Sequence, residues 1–327
     1  MVQSADFKAN GKLLITGEYL VLHSALALAL PLKFGQRMRV TPVAEPVIRW
    51  ISEDSNGVWL SGEFDPLTFS ILQRDQPGDD MLPKFQFISE LLRLIKTINQ
   101  HFPFFSAKEP KAPFTGAIVY IYADYPLEWG MGSSSTLLSL LAQWADIDVF
   151  SLFCKVSKGS GYDVVSATQS EPFFYKLLEK ECSLPYQIRY EVSQATPGLA
   201  LRNYAYFGYL GNKQDSVAEV NKYLKSGIVN PDFILRISEL SKAICTASSY
   251  DYLKETILEH EQIISEVIGK QKVGEQRFAG LPFAVKSLGA WGGDFAMFVS
   301  DMSFEEIQAL LASKGVRQLF TFNTICI

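Results

Sequence analysis

The stretch DYPLEWGMGSSSTLLSLLAQW, residues 124–144, brings two glycines and three serines to the start of an apolar helix. The first backbone amides of a helix lack intrahelical partners and lie at the positive end of its dipole. Such a start holds anions, phosphate above all. Gly130 and Gly132 let backbone come close to phosphate oxygens, while Ser133, Ser134 and Ser135 add hydroxyls, one of which can ligate Mg2+. Taken alone, the stretch reads first as an ordinary N-cap, worth about 1 kcal/mol. Rival motifs fail on spacing. There is no lysine for a Walker A loop, no Rossmann start for a dinucleotide fingerprint, no Gly-x-Ser-x-Gly elbow and no protein-kinase signature.

Three more islands bear on the choice. NGKLLITGEYLVL places Lys12 and Glu18 beside glycines, KGSGYDVV places Asp163 after Gly-Ser-Gly, and KSLGAWGGDFAMF is a second glycine-rich turn. The elements that must position them follow from pattern. GKLLITGEYLVL reads as two short strands around Thr16-Gly17-Glu18. ALALALPL reads as strand or buried helix, and GQRMRVTPV as a strand. VIRWISE and GVWLSGEF form a hairpin over DSNG. FQFISELLRLIKTINQHF has helical apolar spacing, TGAIVYIYADY is a strand, and a helix runs from about Ser134 to Trp144. GSGYDVVSATQ enters a short helix, and EPFFYKLLE is a strand. SVAEVNKYLKS, PDFILRISELSKAICTAS and SYDYLKETILEHEQIISEVIG are helices. AVKSLGAWGGDFAMFVS is strand, turn, strand. SFEEIQALLASKG is a capped helix, and VRQLFTFNTI is a closing strand. Strands and helices without a strict βαβ rhythm indicate an α+β protein.

In this order the four islands resemble the GHMP kinase superfamily, which includes galactokinase, homoserine kinase, mevalonate kinase and phosphomevalonate kinase. GKLLITGEY is similar to its first motif, PLEWGMGSSS to its second and GAWGGD to its third. GSGYDVV looks like the Gly-x-Asp segment of the mevalonate and phosphomevalonate branch, and like a bacterial subgroup with a Gly-Tyr-Asp-Ile-Ala signature. The resemblance implies a two-domain fold: residues 1–190 as a nucleotide-binding and catalytic domain with a left-handed βαβ crossover, and residues 191–327 as a ferredoxin-like domain. The handedness comes from the resemblance alone, since the general rule favours the right hand.

The implied activity is ATP-dependent transfer of a phosphoryl group to a hydroxyl or phosphate on a small molecule, with Mg2+. Asp163 takes the role of general base, because a hydroxyl acceptor must lose a proton. Lys12 sits beside it and steadies the nucleophile or the transferred group. Glu18, with Tyr19 next to it, holds the acceptor or orients the catalytic pair. Gly130, Gly132 and the three serines bind ATP, with Ser134 facing the metal. Gly289, Gly292 and Gly293 shape the wall between nucleotide and acceptor.

Three departures stand out. The branch carries a metal-binding glutamate upstream of the aspartate; here the counted place is Leu152. Asp146 is a poor substitute, since it lies about 18 Å down the helix from Ser134 at 1.5 Å per residue. Trp291 replaces the middle glycine of the third motif and is expected to line or lid the acceptor pocket, or else to pack. Asn10 replaces a proline. A ligand sensor without catalysis is the competing function, and Leu152 is its best support.

Composition narrows the classes. Of 327 residues, 48% are hydrophobic and 20% charged, as in a folded protein with one large or two ordinary domains. With 30 basic and 35 acidic residues the net charge is -5, which gives no surplus to neutralise a nucleic-acid backbone and disfavours an anionic membrane. Four cysteines without a C-x-x-C pair and three dispersed histidines argue against a metal knuckle or a disulfide framework and fit a reducing cytoplasm. Glu18 and Pro31 break the apolar start that would otherwise resemble a signal peptide. No stretch reaches the roughly 20 apolar residues of a membrane span. A monomer or homodimer acting on a small molecule is expected.

Overall fold

The structure, a computed structural model, describes residues 4–76, 78–102, 115–182, 187–211, 216–226, 229–291 and 294–327. The chain forms two compact units, each assembled from separated stretches. The first comprises Met1–Asn10, Phe34–Leu127 and Ser133–Val156; the second comprises Gly11–Lys33, Glu128–Gly132 and Ser157–Ile327. The units therefore do not map onto a single cut near residue 190. The chain passes between them inside β1 (Ala5–Leu14), inside β2 (Ala27–Val43), at both ends of the short 128–132 loop, and once more after Val156.

In the first unit, β3 (Ile48–Asp54) and β4 (Gly57–Phe64) form the expected hairpin, and β5 (Ile71–Arg74) extends it. Helix α1 (Leu82–Ile98) buries Phe85, Ile88, Leu91, Leu92 and Ile95, the face its spacing predicts. It leads towards β6 (Gly116–Ala123), which pairs in parallel with β3 and antiparallel with the Gln36–Val43 part of β2. The two sequence segments ALALALPL and GQRMRVTPV thus belong to one long strand. Helices α2 (Ser133–Ala145) and α3 (Val149–Val156) complete the unit. Trp144 of α2 packs edge-on against Phe102, ring centroids 4.7 Å apart.

In the second unit, α4 (Tyr162–Ser166) precedes β7 (Phe173–Glu181), which pairs with Ala27–Ala29 of β2 and with β8 (Gln187–Gln194). Then come α5 (Leu199–Tyr204), β9 (Ala205–Tyr209), α6 (Ser216–Ser226), α7 (Pro231–Thr246), α8 (Tyr250–Ile268) and α9 (Val273–Gln276). The chain closes with β10 (Ala284–Ser287), β11 (Phe295–Val299), α10 (Phe304–Ala312), β12 (Gln318–Thr321) and α11 (Phe322–Ile325). Strands β10-β11-β9-β12 form an antiparallel sheet in that order, the strand order of a ferredoxin-like unit. Phe278, Phe283, Phe298, Ile307 and Leu311 form part of a core against it.

One expected strand is absent. The end of GKLLITGEYLVL is a 3₁₀ turn, Leu20–His23. Gly17 (φ 87°) and Tyr19 (φ 62°) lie in the left-handed region, so the chain coils there instead of extending. Among the described residues no helix is long and apolar enough to cross a membrane.

Candidate active site

Strand β1 delivers Lys12, and its end is tied to the glycine loop: the Lys12 N–H donates to the Met131 carbonyl at 3.0 Å. The Lys12 ammonium lies over the Tyr162 ring, 5.6 Å from its centroid. Burial works against its charge, but Tyr162, Asp163 and Asp294 outweigh burial and raise its pKa above the ordinary lysine value. Burial also pushes the Tyr162 hydroxyl up, so Tyr162 is neutral at physiological pH.

Asp163 lies in the first turn of α4, after Gly161 in the left-handed conformation. Burial raises its pKa, while Lys12, backbone N–H groups and Lys180 pull it back. A half-buried carboxylate with a raised pKa beside a fixed ammonium is suited to accept a proton. Lys180 is held by the carbonyls of Ser157 (3.4 Å) and Gly159, so the Gly-Ser-Gly turn before Asp163 is braced from β7. Tyr175, also on β7, donates to the Ser160 carbonyl at 2.7 Å.

Asp294 is a residue that sequence reasoning missed, although it was quoted as the end of GAWGGD. A Cβ added at Gly130 would lie 2.7 Å from its Cγ, and one at Gly289 would lie 3.9 Å from its Oδ2. Its carboxylate therefore stands between the two glycine turns. Gly130 has φ 70°, so both backbone and space require glycine there. Gly292 and Gly293 lie outside the described residues.

Glu18 is 1% exposed. Its Oε1 accepts from Lys286, a fully buried lysine on β10. Of its two expected roles, burial is compatible with orienting neighbours and not with reaching an acceptor. Tyr19 is buried as well, and its hydroxyl donates to the Ala290 carbonyl at 2.8 Å. Trp291 is 2% exposed, has φ 60° and keeps its indole N–H without a protein partner among the described residues. Both features carry a cost: about 1–3 kcal/mol for the backbone and about 1–3 kcal/mol for the unpaired N–H.

The three serines open α2 in the first unit, directly after Gly132, which belongs to the second. Ser134 is exposed, Ser133 half-buried and Ser135 buried. The Thr136 hydroxyl donates to Gln36 at 2.9 Å and fixes this turn from β2. Leu152 is fully buried in α3, so that position supplies no metal ligand. Asp146 sits at the C-terminal end of α2 with φ 51°. Among the described residues no group of three or more His, Cys, Asp or Glu is placed to hold a metal ion. The exposed Ser134 hydroxyl is the type of oxygen donor Mg2+ takes alongside phosphates and water, so the residues present fit a metal carried largely by its nucleotide.

No protein-family model and no curated protein matches the chain. Solved structures do. Phosphomevalonate kinase of Streptococcus pneumoniae, in complex with phosphomevalonate and AMPPNP, aligns over 97% of this chain and 99% of its own, with a TM-score of 0.68 at 15% identity. Mevalonate kinase of Methanococcus jannaschii aligns over 98% and 97%, with a TM-score of 0.63 at 14% identity. Galactokinase of Lactococcus lactis, complexed with galactose, aligns over 99% and 94%, with a TM-score of 0.60 at 11% identity. At such identities the likeness is one of fold, and the chain has the two-domain α+β fold of the GHMP kinases.

Proposed function

We infer that the chain is an ATP-dependent small-molecule kinase of the GHMP type, with an acceptor similar to mevalonate or phosphomevalonate. The observation that carries this reading is the placement of Lys12, tied to the Met131 carbonyl, over the ring of Tyr162, the chain neighbour of Asp163. A base for the acceptor proton and a cation for the transferred group are parts that phosphoryl transfer to an alcohol uses. Asp163 takes the proton of an acceptor hydroxyl as the oxygen attacks the γ-phosphorus. A phosphate acceptor is already ionised, and Asp163 then orients it through Lys12. The Lys12 ammonium stabilises charge on the oxygens in flight. Gly130, Gly132 and the Ser133–Ser135 turn hold the nucleotide phosphates on helix amides and hydroxyls, and Gly289, Gly292 and Gly293 are assigned to the nucleotide by their motif. Ser134 would hold Mg2+, which when bound neutralises the phosphate oxygens. Glu18 and Tyr19 shape the acceptor side from within, and Trp291 narrows it. Apart from the 289–293 turn, these residues fall within 1–190, which we keep as the catalytic part.

The buried Leu152 favours a second reading, a sensor that binds nucleotide or metabolite without turnover. Coupled ADP release over mevalonate, phosphomevalonate, sugars and amino-alcohols separates the two. The kinase reading predicts release that depends on one acceptor. Nucleotide binding with no acceptor-dependent release across the set contradicts it.

A further inference from the structure

Three segments of the second unit are closed into a ring by buried polar contacts. The Gly17 N–H donates to His260 Nε2 on α8 at 3.2 Å. The Ser287 N–H on β10 donates to Glu261 Oε1, also on α8, at 2.9 Å. Lys286 on β10 donates to Glu18 and, at 2.9 Å, to the Ser287 carbonyl. Outside the ring, Tyr19 reaches the Ala290 carbonyl. Two carboxylates, a lysine and a histidine are thereby removed from water.

His260 does not pair ionically with Glu18. Its Nε2 already accepts the Gly17 N–H, so the 3.6 Å approach to Glu18 Oε2 sets one acceptor against another. Burial holds the imidazole neutral. The ion pair of the cluster is thus that of Lys286 with Glu18. Glu18 Oε2, His260 Nδ1 and Glu261 Oε2 have no hydrogen-bond partner among the described residues.

Such a cluster is a poor way to gain stability. Well-packed hydrocarbon in place of a buried ion pair is often neutral or stabilising. What the ring does is fix two particular segments: the turn that ends the strand carrying Lys12, and the strand that leads into the Gly289–Trp291 turn. We propose that the buried Glu18–Lys286 pair positions these two segments for phosphoryl transfer, with Lys286 as a positioning residue on a strand that the Ser287 N–H anchors to Glu261 of α8. The role rests on the kinase reading for its chemistry, while the positioning itself has a readout independent of activity.

The test uses the full chain with Glu18→Gln, and the double variant Glu18→Gln/Lys286→Met. The double variant removes the two charges of the pair together, and Glu261, whose pKa burial already raises to about 7, can take up a proton, so the variant is expected to melt close to wild type. Positioning predicts a kcat lowered on the order of 10²-fold by misplacement, with KM for ATP unchanged. It also predicts faster amide hydrogen exchange across Leu288–Trp291. A folded double variant with wild-type kcat and wild-type exchange there overturns the proposal. Should the double variant fail to fold, Glu18→Gln decides by the same two readouts, because it keeps the shape of the side chain and an oxygen that can accept from Lys286. If wild type transfers no phosphate to any acceptor, the kinase reading fails, and unchanged exchange at Leu288–Trp291 in the folded variant still overturns the positioning role by itself.

Discussion

Glu261 is the residue at which burial and charge are most nearly balanced. Burial raises its pKa from 4.5 to about 7, against the pull of Lys286 from β10 and the Ser287 N–H; Glu18, from the Gly17–Tyr19 turn, adds to the rise. His260, beside it on α8, stays neutral. The folded protein therefore keeps a proton that the unfolded chain releases. The contribution of Glu261 to stability is present in full below the unfolded value and is lost as pH rises through the folded one. Glu261→Gln should gain on wild type by on the order of 1–3 kcal/mol between about pH 5 and pH 8, read by urea unfolding at both. A difference independent of pH would contradict this. At this scale the proposed catalytic pair stood out in sequence, because Lys12 follows Gly11 and Asp163 follows Gly161-Tyr162 in short, distinctive islands. Lys286, His260 and Glu261 were not. The EHEQ run of α8 reads as a solvated face, and only the tertiary fold turns His260 and Glu261 inward. Asp294 was hidden differently, since its role depends on a contact with Gly130 from far along the chain.

Among the elements, the turn between β10 and β11 carries the sharpest departure from expectation. A tryptophan occupies a left-handed position suited to glycine. Removing a buried indole costs about 3–5 kcal/mol, but Trp291→Gly also relieves backbone strain of about 1–3 kcal/mol. Trp291→Ala loses the same packing and keeps the strain. The glycine variant should therefore be the more stable of the two by about 1 kcal/mol, the reverse of the usual order of alanine over glycine. Denaturant unfolding of both variants tests this, and an alanine variant at least as stable as the glycine one would remove strain from the account. Under the proposed function, both should also widen acceptor choice. Long periodic elements such as α1, α7 and α8 were legible because apolar spacing alone specifies a buried face. Strands β8 and β9 were not. β8 is exposed along almost its whole length, and the alternation of Ile188, Tyr190 and Val192 with polar residues was passed over, while β9 is a short, nearly continuous buried run without a polar face. The 3₁₀ turn after Glu18 was misread as strand because its apolar residues serve burial and not pleating.

For the molecule as a whole, the motif order carried the fold further than any pattern of propensity. An α+β class and a ferredoxin-like C-terminal sheet were both expected and are both present. The interleaving of the two units was not legible, because a strand that passes from one compact unit to another looks in sequence like any other strand. Under the proposed function, a chain with a net charge of -5 must hold the phosphates of a nucleotide by local features. The central claim is that this fold performs phosphoryl transfer through Asp163. Its most direct test follows the label from γ-32P-ATP into a phosphorylated acceptor, with wild type and Asp163→Asn side by side and nucleotide affinity measured for both. The account predicts labelled product with wild type, and in Asp163→Asn a rate lower by roughly 10²–10⁴ with nucleotide affinity retained. Labelled product at the wild-type rate from a folded Asp163→Asn, or tight nucleotide binding by wild type with no label transferred to any acceptor, would contradict it.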